Sequence, residues 1–159
     1  MSQIHVRRAT IADAATLADF NIAMARETED HVLDPAVIGP GVRTAVTDAT
    51  KCLYFVAEIG GRVVGQTMVT FEWSDWRNGD VWWLQSVYVH PDFRARGVFR
   101  ALHAEVERSA RAAKAVGLRL YVWNANARAQ TTYAKLGWAD ANYKVMERMF
   151  DTSSGGGTA

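Results

Sequence analysis

One segment constrains the fold more than any other: a strand end, a short turn rich in arginine, and the start of a helix. It runs from Val89 to Val106 and reads VHPDFRARGVFRALHAEV. The first turn of a helix leaves four backbone N–H groups without partners and carries the positive end of the helix dipole, so it attracts anions. Gly97 lets the backbone approach a ligand closely, and Arg94, Arg96 and Arg100 add positive charge. The segment therefore predicts a phosphate-binding loop.

A second motif follows downstream and reads NARAQTTYAKLGW from Asn126 to Trp138. The two motifs in this order resemble those of the GNAT superfamily of N-acetyltransferases, Arg/Gln-x-x-Gly-x-Gly/Ala on the phosphate loop and Asn-x-x-Ala-x-x-x-Tyr afterwards. The resemblance extends from about Ile4 to Arg148, nearly the whole chain. It departs from the family pattern at Phe99, where Gly or Ala is usual.

Hydrophobic periodicity and turn residues predict the succession β, α, α, a three-stranded meander, α, β, α, β. The predicted strands are Ile4–Arg8, Lys51–Ile59, Arg62–Trp73, Val81–Val89, Leu118–Trp123 and Tyr143–Phe150. The first predicted helix starts at a capping box of Thr10 and Asp13 and ends at about Arg26. The other predicted helices run from Asp34 to about Asp48, from Gly97 to about Val116, and from Asn126 to Leu136.

With the resemblance, this order implies an α/β fold with one GNAT domain from Met1 to Thr152 and a flexible Ser/Gly tail from Ser153 to Ala159. The implied sheet is mixed and mostly antiparallel. It has six to seven strands with a splayed central parallel pair, flanked by about four helices.

Composition narrows the class of protein. The chain has 159 residues, 49% of them hydrophobic, which is enough for a core without stabilising cross-links. Its net charge of +1 argues against binding to nucleic acid or a membrane surface. Its single cysteine, Cys52, lies in an apolar run and is predicted to be a buried small hydrophobe. The four histidines lack metal-ligand spacing, which predicts no metal, and the absence of a signal-like or membrane-length apolar run predicts a cytoplasmic location.

The resemblance implies acetyl-CoA as co-substrate. In the family, backbone groups at the splayed strand end pair with the pantetheine arm, and the matching residues here are Val87, Tyr88 and Val89. Asn126 matches a position that hydrogen-bonds the pantetheine, and Tyr133 matches the general acid that protonates the leaving thiolate. Structural alternatives stay open, namely a helix N-cap for Asn126 and simple packing for Tyr133. The loop residues implied in pyrophosphate binding are Arg94, Ala95, Arg96, Gly97, Val98, Phe99 and Arg100.

The general base is not evident in the sequence. An aliphatic amine is only about one part in a thousand neutral at pH 7, so transfer needs a route for proton loss. The strand positions where many relatives place a glutamate hold Trp82, Trp83, Gln85 and Tyr121. Water or a mobile carboxylate is therefore the predicted base. The candidate carboxylates are Glu27, Glu29, Asp30, Glu72 and Asp75, each with a solvated surface role as its alternative.

Four of the six tryptophans, Trp73, Trp76, Trp82 and Trp83, fall within FEWSDWRNGDVWW. Strand alternation cannot place all four in one core, so some line a surface or cleft, where an indole face attracts an ammonium group. The predicted acceptor site comprises Glu27, Glu29, Trp73, Asp75 and Trp76. The alternative for the tryptophans is core packing plus a homodimer contact.

The sequence thus predicts an N-acetyltransferase that acts by direct attack of a small-molecule primary amine in a ternary complex, because no cysteine is placed for an acyl-enzyme. Two alternatives stay open. One is a protein or peptide N-acetyltransferase, and the other is a non-catalytic acyl-CoA sensor, which the missing strand glutamate and Phe99 favour and Tyr133 opposes. A doubly wound nucleotide-binding domain is disfavoured, because the phosphate loop follows the fourth strand rather than the first.

Overall fold

The computed structural model describes residues 3–150 and contains, within them, five strands and four α-helices. The strands are β1 (Ile4–Arg8), β2 (Leu53–Ile59), β3 (Arg62–Ser74), β4 (Gly79–Val89) and β5 (Gly117–Leu120). The helices are α1 (Ala14–Glu29), α2 (Pro35–Thr47), α3 (Val98–Ala112) and α4 (Ala127–Lys135). The predicted Ser153–Ala159 tail lies outside the described residues.

The strands form one sheet in the order β1-β2-β3-β4-β5, antiparallel as far as β4 and parallel between β4 and β5. The predicted two-residue turn between β2 and β3 is confirmed, since Gly60 and Gly61 have φ of 59° and 78° and Ile59 pairs with Arg62. The parallel pair is also confirmed, through four residue pairs from Val81↔Gly117 to Leu84↔Leu120. The predicted α/β class with a mixed, mostly antiparallel sheet is confirmed.

The predicted count of six to seven strands is wrong for the described residues, and β5 is an edge strand rather than part of a central pair. The missing element is the predicted strand Tyr143–Phe150, which has no strand conformation. Its alternating apolar residues are exposed, from 59% at Val145 to 93% at Met146. An apolar alternation becomes a strand only when a neighbouring edge supplies hydrogen bonds, and this segment pairs with no described strand.

Helices cover both faces of the sheet. On one face, Leu17 of α1 and Val42 of α2 pack with Tyr54 and Val56 of β2 in one buried cluster, which also contains Cys52 as predicted. On the other face, α3 approaches so closely at Gly65 that a Cβ there would lie 2.8 Å from Val98 Cγ1. The result is a three-layer arrangement of helices, sheet and helix.

Local sequence signals set the helix starts. The Asp13 carboxylate accepts a hydrogen bond from Thr10 N at 2.7 Å, as the predicted capping box requires, and a 3₁₀ turn, Ile11–Asp13, precedes α1. The Asp34 carboxylate accepts from Ala36 N at 2.8 Å at the start of α2.

The chain divides into two compact units at the boundary between Tyr121 and Val122. The first unit holds the sheet and α1 to α3, and the second holds α4. Within residues 3–150, no helix is both long enough and apolar enough to cross a bilayer.

Candidate active site

The carboxyl end of β4 presents an open backbone edge. β5 pairs with β4 only as far as Leu84, so no described strand covers this edge from residue 85 onward. His90 N donates to Val64 O at 2.8 Å, and backbone groups of an antiparallel strand face the same neighbour at every second residue. Val87 and Val89 therefore direct their N–H and C=O groups away from β3. The structure thus places two of the predicted cofactor contacts, Val87 and Val89, on the free edge, whereas Tyr88 is buried and its backbone faces β3.

A β-bulge lies immediately before this open stretch. The register between β3 and β4 passes from Met68↔Ser86 to Val69↔Leu84, so Gln85 has no partner on β3. Bulges re-aim the backbone and are frequent beside active sites. Here the Gln85 side chain donates to Thr70 Oγ1 at 2.7 Å, which supports the bulge from the neighbouring strand.

The predicted phosphate loop joins β4 to α3 as a tight turn. Ala95 and Gly97 have positive φ, 60° and 86°, and the bond from Ala101 N to Gly97 O at 3.0 Å opens the helix. The N–H groups of Val98, Phe99 and Arg100 therefore point out of the helix N-terminus. This is the arrangement that holds an anion.

Arg94 is engaged within the protein. Its guanidinium donates to Val89 O at 2.9 Å and to the Glu27 carboxylate at 2.7 Å, and it lies over the Tyr88 ring. Burial first, and then the neighbouring Glu27, raise the pKa of Tyr88, whereas Arg94 lowers it. Glu27, predicted on the acceptor side, is thus a partner of the phosphate loop, and Arg94 braces the loop against α1.

A second group of cations surrounds Phe93. The guanidinium carbons of Arg62 and Arg96 each lie 5.3 Å from the centroid of its ring. Arg62 also approaches His90 Nε2 at 3.4 Å. With the exposed Arg100, these side chains make the loop surface positive.

The second unit carries Asn126 and Tyr133. The Asn126 carboxamide oxygen accepts from Ala129 N at 3.0 Å, so this residue is the N-cap of α4. The N-cap was the structural alternative given for Asn126 from the sequence. Tyr133 packs edge-to-face against Trp138, with ring centroids 5.7 Å apart. Burial raises the pKa of the Tyr133 phenol above its ordinary value of 10.0, so the group stays protonated at neutral pH.

The first unit contains a cavity of about 410 Å³ between α1, α2 and the sheet, named here the α1–α2 pocket. Its walls include Met24 and Glu29 from α1, Gly41 and Ala45 from α2, Met68 from β3 and Ser86 from β4. Ser86 is next to the bulge at Gln85. The pocket therefore reaches β4 at the start of its open edge.

A buried hydrogen-bond network reaches this pocket. Gln66 Nε2 donates to Asn21 Oδ1 at 2.9 Å, and Asn21 Nδ2 donates to Tyr54 Oη at 3.0 Å. Burial raises the pKa of Tyr54, while the Asn21 hydrogen bond and the nearby Ser86 hydroxyl lower it in part. The Ser86 hydroxyl makes no hydrogen bond of standard geometry with a described residue. Asn21, Tyr54 and Ser86 all line the pocket.

This network was not predicted, although two features of the sequence indicated it. Asn21 lies on the same face of α1 as Leu17 and Phe20, and Gln66 interrupts the apolar run VVGQTMV. A polar residue on a buried face needs a partner inside the protein.

The tryptophan-rich segment lies at the other end of β4. Trp73 pairs with Asp80, and Asp75 and Trp76 lie in the turn from Ser74 to Gly79. Six residues separate Asp80 from Ser86, about 20 Å along a strand. The structure therefore does not bring Trp73, Asp75 and Trp76 together with Glu27 and Glu29, and they do not form one wall.

Most side chains at this amino end have partners. The Glu72 carboxylate accepts from Arg119 at 2.5 Å and from Trp83 Nε1 at 3.2 Å, and Trp82 is buried. Trp76 is 90% exposed and Asp75 accepts from its N–H at 2.9 Å. Among the described residues, no three His, Cys, Asp or Glu side chains converge as a metal site would need.

The sequence model of the Acetyltransferase (GNAT) family matches residues 18–138, which include the bulge, the phosphate loop and α4. The chain belongs to the GNAT family. It is an acetyltransferase, and the family uses acetyl-CoA.

Similar solved structures agree with this assignment to the GNAT family. A possible acetyltransferase from Clostridium difficile 630 is 38% identical with a TM-score of 0.87, over 93% of this chain and 98% of that chain. An aminoglycoside N-acetyltransferase in complex with CoA is 18% identical with a TM-score of 0.78, over 94% of this chain and 96% of that chain. Ribosomal-protein-alanine N-acetyltransferase from Brucella melitensis biovar Abortus 2308 is 16% identical with a TM-score of 0.75, over 94% and 100%. The last two share the GNAT fold alone, and a comparison with curated proteins found no match.

Proposed function

We propose that this GNAT protein transfers the acetyl group of acetyl-CoA to the primary amine of a small molecule by direct attack in a ternary complex. The observation that carries the proposal is the α1–α2 pocket, which reaches β4 beside the open backbone edge. At about 410 Å³ it lies in the range of small-molecule sites. A cavity of this kind suits a compact acceptor better than the surface of a folded protein.

The open edge and the phosphate loop fit acetyl-CoA. An extended pantetheine arm can pair with the free N–H and C=O groups of Val87 and with Val89 N–H, as an added strand would. The N–H groups of Val98, Phe99 and Arg100, with Arg96 and Arg100 nearby, suit a pyrophosphate. Positive φ at Ala95 and Gly97 shapes this turn. Bound there, acetyl-CoA supplies an activated acyl group.

Arg94 contributes to this site in a particular way. Because it is paired with Glu27 and Val89 O, it holds the loop against α1 before any pyrophosphate arrives. A bound pyrophosphate would compete with Glu27 for the guanidinium. Arg94 is therefore proposed as a positioning group that becomes a phosphate ligand.

Tyr133 is proposed as the acid that protonates the departing thiolate. Its raised pKa keeps the hydroxyl group protonated across the neutral range, as a donor needs. Asn126 is proposed as a pantetheine contact in addition to capping α4. Its remaining donor, the carboxamide NH₂, is the group available for that contact, because Oδ1 already accepts from Ala129 N.

Glu29 is proposed to attract the acceptor ammonium, with water carrying its proton away. Glu29 lines the α1–α2 pocket, whereas Glu27 and Glu72 are each held by an arginine. Of the predicted acidic groups, Glu29 is the one whose place suits an amine bound next to β4. Trp73, Asp75 and Trp76 stay a predicted acceptor surface at the other end of β4, with a homodimer contact as the alternative.

The test is release of free thiol from acetyl-CoA with a panel of small amines, amino acids, aminoglycosides and short peptides. We expect turnover with at least one small amine and formation of its N-acetyl product by mass spectrometry. Turnover restricted to peptides would favour the protein N-acetyltransferase. Binding of acetyl-CoA without turnover of any amine would favour the sensor.

A further inference from the structure

We propose that the acceptor is a monoamine with an apolar body that also carries one uncharged oxygen, and that it binds in the α1–α2 pocket. This inference rests on the proposed function and specifies its substrate class. It depends on the charge of the pocket, on its apolar lining and on the direction of the buried hydrogen-bond network.

The pocket has little capacity for charge. Among its described lining residues, Glu29 is the single acidic or basic side chain, and Met24, Ile38, Ala45 and Met68 give the pocket an apolar wall. One ammonium group can be balanced by Glu29. A polyamine or an aminoglycoside would bring further ammonium groups against apolar surface without partners, at a large desolvation cost.

The network delivers a hydrogen-bond donor to the pocket. Because Gln66 donates to Asn21 and Asn21 donates to Tyr54 Oη, the Tyr54 oxygen already accepts and its proton is left to donate. Hydrogen bonds in series polarise one another, which strengthens the terminal donor. The Ser86 hydroxyl beside it is buried, with almost no surface open to the pocket. An oxygen of a bound molecule can accept from the Tyr54 hydroxyl.

This oxygen should be uncharged. The described lining contains no cation to balance a carboxylate, and Glu29 would repel one. An alcohol or a primary amide meets the requirement, whereas a free amino acid does not. Suitable probes with one carbon skeleton are phenylalaninol, phenylalaninamide, phenylalanine and 2-phenylethylamine, with spermidine and kanamycin as polycations.

Gly41 offers a way to fill the pocket. It lies on the pocket face of α2 with Ile38 and Ala45, and a Cβ built there meets no atom of a described residue within 4 Å. Gly41→Phe should therefore fill pocket space without a collision at its first atom, and Gly41→Ala adds a methyl group only. Val37→Phe is the matched control, because Val37 is on the same helix, is 68% exposed and does not line the pocket.

The experiment measures kcat and KM for each probe by thiol release, with the melting shift from acetyl-CoA as a check of folding and cofactor binding. In the wild-type protein we expect kcat/KM to be highest for phenylalaninol and phenylalaninamide. Gly41→Phe should raise their KM by about tenfold or more and leave the acetyl-CoA melting shift unchanged, whereas Val37→Phe should stay within about twofold.

Tyr54→Phe tests the oxygen separately. The wild-type preference for phenylalaninol over 2-phenylethylamine, as a ratio of kcat/KM, should fall by about tenfold in this variant. A general loss of stability would lower both substrates equally and leave the ratio unchanged. An unchanged ratio in a folded variant would therefore overturn the role of Tyr54.

Two results separate this inference from the proposed function. If spermidine, kanamycin or phenylalanine is the best acceptor, or if Gly41→Phe leaves the KM of phenylalaninol unchanged, the substrate class is wrong while acetylation of small amines stands. If acetyl-CoA binds and no small amine supports thiol release, both proposals fall.

Discussion

The two ends of β4 have similar chemistry and different geometry. At the amino end, Trp73 and Trp76 are exposed beside acidic residues, a composition that suits an amine ligand. At the carboxyl end, Glu29 lines a cavity, and no described strand pairs with one edge of the backbone after Leu84. The comparison shows that aromatic and acidic side chains do not define a site alone. A cavity and unsatisfied backbone groups are needed as well.

Each end also has an ion pair between an arginine and a glutamate. Arg119 of β5 holds Glu72 of β3, so the first pair ties together strands on either side of β4. Arg94 of the phosphate loop holds Glu27 of α1, so the second pair lies where an anionic cofactor is proposed to bind. The first pair is structural, whereas the second is expected to exchange with a ligand.

The largest expected effect is on kcat, and it separates the chemical step from substrate binding, whichever end of β4 holds the acceptor. Tyr133→Phe removes the proposed acid and keeps the ring that packs on Trp138, so kcat should fall by about 10²–10⁴-fold with little change in acetyl-CoA affinity or Tm. Because the pKa of Tyr133 is raised, the wild-type kcat should not decline through loss of this proton below about pH 9. Steady-state kinetics from pH 6 to 9 check both expectations. A near-normal kcat in Tyr133→Phe would contradict the role of Tyr133 as the acid.

The next effect tests cofactor binding at the carboxyl end. Acetyl-CoA at 100 times its Kd should stabilise the protein by about 2.7 kcal/mol, and Gly97→Glu should abolish this gain by placing negative charge at the loop. Among the described residues, a Cβ at this glycine meets only Ile4 Cδ1, at 3.9 Å, so φ rather than space is the steric constraint. Gly97→Ala introduces the same φ strain without charge and is the control in a thermal melt. A full ligand shift in Gly97→Glu would remove the cofactor assignment.

A smaller effect compares the two candidate acceptor surfaces directly. Glu29→Gln should raise the KM for the amine by up to about tenfold without changing the KM for acetyl-CoA, because it removes the charge that attracts the ammonium group. Trp76→Ala should leave both KM values within about twofold, because Trp76 lies at the far end of β4. The reverse outcome in a kinetic comparison would move the acceptor site to the tryptophan-rich turn.

The smallest effect compares the two ion pairs. Both are substantially exposed, so Glu27→Gln and Glu72→Gln should each cost less than about 1 kcal/mol of unfolding free energy. Glu27→Gln should also lower the Kd for acetyl-CoA by a few-fold, because Arg94 loses a competing anion, whereas Glu72→Gln should not. Titration calorimetry at low salt decides this, and equal Kd values in the two variants would contradict the exchange of Arg94.

Much of the fold followed from patterns a few residues long. The Gly60-Gly61 hairpin, the caps at Asp34 and Asn126, and the parallel pair around α3 were all predictable from turn and capping chemistry and from hydrophobic runs. The segment Tyr143–Phe150 was mispredicted, because its alternation has the period of a strand while strand formation depends on a partner edge elsewhere in the chain. The bulge at Gln85 was not predicted, since it is a mismatch between two strands rather than a property of one.

The sequence by itself determined the GNAT family, the tight turn at Gly97 that is predicted to bind phosphate, and the position of Tyr133 within its motif, because each is encoded by neighbouring residues. Only the tertiary structure decided that Glu27 forms an ion pair with Arg94, that Asn21, Tyr54 and Gln66 form one hydrogen-bond network, and that a cavity is lined by Ser86. These contacts join residues that are 67, 33 and 45 positions apart. Their physical reason is the packing of α1 and α2 on the sheet, which depends on strand register and helix placement together.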